Sequence, residues 1–284
     1  MRYPPVKNKT VLITGCSSGI GLATALLLRE HGWDVAPTAR KEKDIERLRA
    51  DGFSPIVLDL FDSGSVNNAA GEALELFGGT IGALVSNAGF AQVGAVEDIS
   101  REDLRRQFEV NLFGMQELAN RLIPQFRKQG WGRVVNVSSV YGRVTAPMVG
   151  AYCASKHAME SLSDALRMEL RGSGVAVSLI EPGAIRTEFR RNAAEQAERS
   201  LDPQSAQFGK RYDRIISRRE ERLRKERPFS LPPEAVARKI RHALESSRPK
   251  ARYCVTLPAH LAAFLRRVLP TSLIDRILSS SVSN

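Results

Sequence analysis

Paired cysteines, aromatic residues and long apolar runs are all scarce in this chain, and each scarcity removes a class of protein. Cys16, Cys153 and Cys254 are the three cysteines in 284 residues, far apart and without paired spacing. That pattern fits free thiols in a reducing, cytoplasmic compartment and excludes a disulfide scaffold. Cys153 sits beside Tyr152, but no histidine–asparagine partners suggest themselves, so it is read as packing. The four histidines, His31, His157, His242 and His260, lack ligand spacing, and no metal is expected. Aromatics make up 6% of the chain and no nucleic-acid module is recognisable, so a nucleic-acid partner is not expected. The opening MRYPPVKNKT has no apolar run and is not read as a targeting segment.

What is present is the composition of a globular α/β protein: 43% hydrophobic and 26% charged, with enough length for one large core spanning 1–284. The net charge of +11 stands out. Much of the excess lies between Arg186 and Arg227, and more lies in the tail. Charge of this kind suits nucleic acid, an anionic membrane surface or a phosphate-bearing ligand.

Strands and helices alternate along the chain. VLIT runs into GCSSGIG, where Gly15, Gly19 and Gly21 open an amphipathic helix reaching about His31. A strand, a glycine-rich turn and a helix N-terminus form the context of a dinucleotide site, with Ser17 and Ser18 able to donate to phosphate oxygens. The second strand, Trp33 to Thr38, ends in Ala39, Arg40 and Lys41. An acid there would accept from a ribose 2′-hydroxyl; two cations instead favour NADP(H). The bland alternative is that Arg40 and Lys41 begin a solvated helix. PIVLDL is read as a third strand ending at Asp59, placed to meet an adenine amino group, and ALVSNAG as a fourth, ending at Asn87, Ala88 and Gly89. A capping signal at Ser100 and Asp103 predicts one long helix to about Lys128 with Asn111 inside it, as a local distortion or a buried amide.

The stretch from Asn136 to Lys156 organises the rest. A buried strand from Arg133 to Ser138 is followed by Ser139, a loop, and a helix opening near Tyr152. Tyr152 and Lys156 are four residues apart and share a helix face. A cation one turn away would lower the phenol pKa towards working pH, and Ser139 could donate to an oxygen becoming alkoxide-like. A sixth strand, VAVSLIEPG, breaks at Pro182-Gly183. Residues 188–227 are charged, suit one or two exposed helices, and form a candidate substrate lid. A helix from Glu234 to Ser246 and a last strand, RYCVTL, lead to a tail at about 258–284. The tail has two apolar segments joined at Leu269-Pro270, too short to span a bilayer. Covering the site, pairing subunits and lying on a membrane surface are all open to it, and packing on its own fold is favoured. The expected architecture is a Rossmann-type doubly wound parallel sheet with helices on both faces, a helical lid insertion and a C-terminal helical tail.

Together these residues resemble the short-chain dehydrogenase/reductase family, closely from about Lys9 to Thr187 and loosely beyond. TGCSSGIG at 14–21, NAG at 87–89 and Tyr152-Cys-Ala-Ser-Lys156 match its motifs, and Ser139, thirteen residues before Tyr152, falls at its catalytic serine. Ser138 is the weaker choice. The resemblance implies catalysis by Asn111, Ser139, Tyr152 and Lys156, with Asn111 anchoring a water that relays protons to the lysine. It implies cofactor contacts from Gly15, Ser17, Ser18, Gly19, Ile20, Gly21, Arg40, Lys41, Asp59, Asn87, Ala88, Gly89, Tyr152, Lys156, Pro182, Gly183, Ile185 and Thr187. Within the family, the TAR strand ending, IEPG and the basic lid are similar to retinol and 17β-hydroxysteroid dehydrogenase-like members, and the tail to bacterial NADP-dependent aldehyde reductases. The implied reaction is hydride transfer between NADP(H) and a lipophilic aldehyde, ketone, steroid or retinoid, by a homodimer or homotetramer paired through helices at about 101–129 and 151–171. Three departures are Ser86, the lack of a basic residue in the glycine loop, and the bulky Tyr141. The rival readings are a non-catalytic NADP(H)-binding sensor or scaffold at a membrane surface, and a nucleic-acid-associated protein using the basic lid and tail.

Overall fold

The computed structural model describes residues 2–202, 204, 207–217, 221 and 228–283, the side chains of 280–283 excepted. The basic run at 218–220 and 222–227 lies outside them. Seven parallel strands form one sheet in the order β3-β2-β1-β4-β5-β6-β7. They are β1 (Thr10–Ile13), β2 (Asp34–Ala39), β3 (Ile56–Val57), β4 (Ala83–Ser86), β5 (Gly132–Val137), β6 (Val175–Glu181) and β7 (Arg252–Cys254). The central strands β1, β4 and β6 are buried along their whole length. That is why they read as apolar runs and not as alternating patterns.

Helices cover both faces, and alternate strand residues divide between them. Leu12, Leu84, Val134 and Val177 meet α3 (Ser63–Leu76), α5 (Gly114–Gln129) and α6 (Gly150–Glu169). Val11, Ile13, Val85 and Val135 meet α1 (Gly19–Glu30), α2 (Glu42–Ala50) and α9 (Pro233–Glu245). At roughly 25 cal/mol per Å² of apolar surface removed from water, these two layers are the main source of stability.

Three expected elements come out differently. PIVLDL keeps strand pairing only at Ile56–Val57. The Asp59 carboxylate accepts from Phe61 N at 3.0 Å, and Ser65 Oγ accepts from Asp59 N at 2.9 Å, turning the chain towards α3. The single helix expected to Lys128 is instead α4 (Arg101–Phe108), a π turn (Glu109–Phe113) and α5. Asn111 lies in that turn with its amide bonded outside the helix ladder, which is a recognised setting for a π bulge. RYCVTL shortens to β7 because Thr256 accepts from Ala259 N and caps α10 (Leu257–Val268).

Beyond β6 the insertion contains α7 (Phe189–Ser200) and α8 (Gly209–Ser217). These helices are not simply solvated. Tyr212 is fully buried with Ala95, Met148, Ala197 and Leu201. Its hydroxyl accepts from Ala95 N at 3.0 Å and donates to Asp98. The tail forms α10 and α11 (Thr271–Ser283). Packing on its own fold was expected of it, yet Ala259 and Ile274 are the only buried apolar side chains among its described residues.

Candidate active site

The carboxyl ends of the central strands open onto a crevice of about 1820 Å³. On one side, β1 leaves through Gly15, whose φ of +73° suits glycine. A Cβ on Gly15 would lie 2.8 Å from Ala88 Cα, and one on Gly21 would lie 2.2 Å from the Gly15 carbonyl oxygen. Turn, helix and NAG segment therefore pack backbone to backbone. Side chains tie them: Thr14 Oγ1 accepts from Asn87 N (2.8 Å) and Ala88 N (2.9 Å), and Asn87 Nδ2 donates to the carbonyls of Thr14 and Gly15. Ser18 precedes α1 without capping it. The first amides of α1 are left without helical partners, beside a crevice lined by Ser17, Ser18, Gly19 and Ile20. A cradle of glycine backbone and open amides fits a dinucleotide pyrophosphate.

Further along, Arg40 and Lys41 line the same crevice. So do Lys43 and Arg47, which the sequence reading passed over although their four-residue spacing puts them on one face of α2. Arg47 reaches back to donate to the Ser17 carbonyl. That end of the crevice therefore has four cations, one of which reaches the glycine loop from the next helix. Asp59 also lines it, with one carboxylate oxygen committed to Phe61 N.

The other side carries the hydroxyl, phenol and ammonium. Ser138 and Ser139 follow β5 and point opposite ways, as successive extended residues do. Ser138 faces the Glu160 carboxyl. Ser139 faces the Tyr152 phenol closely enough to favour its ionised form, and its Oγ accepts from Tyr141 N at 3.1 Å. Tyr141 and Phe189 pack on the Tyr152 ring, with centroids 6.3 and 5.7 Å away. Phe189 thereby brings the insertion against Tyr152.

Lys156 Nζ donates to the Val137 carbonyl at 2.9 Å and lies 5.9 Å from the Tyr152 ring centroid. Burial pushes the Tyr152 phenol up, the Ser139 hydroxyl opposes it, and the neighbouring Cys153 and Tyr141 add to the rise. Lys156 itself is lowered to about 8 by burial, against the raising influence of Glu160. Glu160 belongs to a buried network: Arg252 bridges Glu160 (3.0 Å) and Glu181 (3.2 Å) and also meets Asp164, and Arg143 meets Glu181 at 2.9 Å.

Two predicted residues stand outside the crevice lining. Gly21 acts through the tight helix–loop approach described above. Asn111 is fully buried: its Oδ1 accepts from Phe90 N at 3.1 Å, and its Nδ2 donates to Phe90 O at 3.0 Å and Ser155 Oγ at 3.3 Å. Its side chain braces the loop after β4. Pro182, Gly183, Ile185 and Thr187 all line the crevice. That segment is clamped between Leu231, which pairs with Ala184 and Arg186, and Thr256, whose Oγ1 would lie 2.1 Å from a Cβ on Gly183.

A doubly wound sheet with a glycine cradle at its switch point and a serine, tyrosine and lysine across the crevice defines a dinucleotide-dependent oxidoreductase architecture. Comparison with known proteins narrows that class. The short chain dehydrogenase model matches residues 9–198. The uncharacterized oxidoreductase YbbO of Escherichia coli is 43% identical over 96% of this chain and 95% of its own. The NADPH-dependent 3-dehydrocapnine reductase of Ornithobacterium rhinotracheale is 34% identical over 94% of each chain. Mouse retinol dehydrogenase 16 is 34% identical over 96% of this chain and 88% of its own. A short-chain dehydrogenase/reductase from Burkholderia phymatum, solved in complex with NAD, superposes with a TM-score of 0.77 at 27% identity, covering 93% and 94% of the two chains. The chain belongs to the short-chain dehydrogenase family: it is an oxidoreductase of a group that uses nicotinamide cofactors on carbonyl and alcohol substrates.

Proposed function

We propose that this protein is an NADP(H)-dependent reductase of lipophilic aldehydes or ketones, working reversibly on the corresponding alcohols. The observation that carries the reading is the meeting of Ser139, Tyr152 and Lys156 in the crevice that the glycine cradle also lines. Gly15, Ser17, Ser18, Gly19 and Ile20 would hold the pyrophosphate, Gly21 would keep the helix close, and Asn87, Ala88 and Gly89 would back the cofactor. Asp59 would meet the adenine and Pro182, Gly183, Ile185 and Thr187 the nicotinamide end. When bound, the reduced nicotinamide supplies the hydride for carbonyl reduction. Ser139 would hold the carbonyl oxygen, and Tyr152 would pass its phenolic proton to that oxygen as negative charge develops there. Lys156 would hold the nicotinamide ribose and favour the phenolate after proton transfer, and Asn111 would brace the loop beside them.

Four cations at the adenosine end, Arg40, Lys41, Lys43 and Arg47, favour a 2′-phosphate, and the NADPH dependence of the 34%-identical 3-dehydrocapnine reductase supports the same choice. Tyr141, Met148, Phe189 and Phe208 make the substrate end apolar, which favours a lipophilic substrate, with residues 188–227 as its lid. Exposed Leu104, Phe113, Leu162 and Met168 on α4, the π turn and α6 support pairing into a homodimer or homotetramer there. Free Cys16, Cys153 and Cys254 suit a cytoplasmic setting.

The test is NADPH oxidation against aldehydes, ketones, steroids and retinoids, with Tyr152→Phe as control. Substituting the phenol should lower kcat by about 10²–10⁴-fold while NADPH binding persists. Near-normal turnover by that variant would rule out the assignment.

A further inference from the structure

The last two helices turn much of their apolar surface outward. On α10, Leu257, Leu261, Phe264 and Val268 are 65%, 53%, 61% and 55% exposed. Their spacing of four, three and four residues aligns them in one stripe. Leu273 and Ile277 add a second exposed pair on α11. A contiguous apolar stripe facing water marks a contact surface.

Charge and position indicate which contact. Between 257 and 279 the chain has Arg266, Arg267 and Arg276 but Asp275 as its one acid. Pairing of two copies has exposed apolar surface of its own on α4, the π turn and α6. An anionic lipid surface suits both features: the stripe would enter the headgroup boundary while Arg267 and Arg276, which flank the apolar rows by helical period, would meet phosphates; Arg266 falls on the far side of α10. The stripe also begins at the crevice mouth. Pro258, beside Leu257, lines the crevice, and so does Pro228, beside Phe229, which is 64% exposed at a φ of +59°. Among the described residues no helix is long and apolar enough to cross a membrane, so the contact is interfacial.

We infer that α10 and α11 form an interfacial anchor that seats the crevice mouth on an anionic phospholipid surface. Delivery of lipophilic substrate from that surface rests on the reductase reading; the anchoring itself does not.

Flotation with phosphatidylcholine vesicles, with and without phosphatidylglycerol, tests it. The protein should float with the anionic vesicles, and Leu261→Asp with Phe264→Asp should reduce this by about tenfold or more. Arg267→Gln with Arg276→Gln should weaken it and blunt its dependence on salt. If the aspartate variant fails to fold, Leu261→Cys carrying a polarity-sensitive dye should show a blue shift with anionic vesicles alone. Failure to float at low salt, or flotation that survives the aspartate pair, overturns the anchor. A concentration-dependent dimer abolished by that pair, without vesicle binding, assigns the stripe to a second copy and overturns it too. Turnover of a long-chain aldehyde presented in anionic vesicles should fall in the aspartate variant while that of a short water-soluble aldehyde holds. If no carbonyl is turned over, the reductase reading fails while the flotation result stands.

Discussion

The cofactor side of the crevice and its substrate side are built from different materials. The cofactor side is backbone against backbone, glycine on carbonyl, fastened by Thr14 and Asn87 at 2.8–3.1 Å. The proposed substrate side is made of the helices inserted after β6, held by a small apolar cluster around Tyr212, and beside it the helices added after β7 expose much of their apolar surface. A cofactor common to a family demands fixed geometry, which close backbone contact enforces. Substrates vary, and loops beyond strand ends vary with them.

Substitutions on either side should therefore fail in different ways. The largest structural effect is expected from Gly21→Ala, whose new methyl meets the Gly15 carbonyl and Asn87 Nδ2. It should cost about 3 kcal/mol of stability and weaken NADPH binding as well, measured by thermal unfolding and by titration. Next, Arg40→Asp removes one cation of four and repels a 2′-phosphate. The NADPH-over-NADH preference should drop by about ten- to hundredfold in dissociation constants, without loss of turnover at saturating cofactor. An unchanged preference would leave Arg40 as a solvated residue ahead of α2.

The pH profile joins the two sides. Lys156, lowered to about 8, is protonated below that pH and loses its charge above it, whereas the buried Tyr152 phenol is still protonated there. Reductive kcat/KM, which reports the free enzyme, should fall as pH rises through about 8. Glu160 raises the lysine pKa, so Glu160→Gln should move this limb to lower pH. A limb that stays in place would remove Glu160 from the electrostatics of the site. The smallest effect is expected on the substrate side. Tyr212→Phe deletes the hydroxyl shared with Ala95 and Asp98, which should raise KM a few-fold, equivalent to about 1 kcal/mol, and leave kcat and NADPH affinity alone. A large fall in kcat would show that the insertion holds the chemistry and not only the substrate.

Much of the cofactor side was legible because its constraints are local. A strand, a glycine turn and a helix start within one short stretch leave little choice of geometry, and Tyr152 and Lys156 share a face through helix period alone. Arg47 was missed because its contact with the Ser17 carbonyl spans two elements. Asn111 could be read as a distortion or a buried amide, and it is both, since the π turn frees its side chain to hold Phe90 and Ser155. The pairing of Lys156 with the phenol rests on spacing, whereas the burial that raises the phenol pKa is revealed by no spacing.

The order of strands and helices, the glycine cradle, the cationic ending of β2 and the tyrosine–lysine pair were determined by the sequence alone, since each rests on periodicity or on backbone freedom within a few residues. Which serine faces the phenol, how deeply the lysine is buried, where Tyr212 fastens the insertion and which way Phe264 points were decided only in the tertiary structure. Those outcomes depend on what distant elements bring to the same place, and burial, not spacing, sets the energies there.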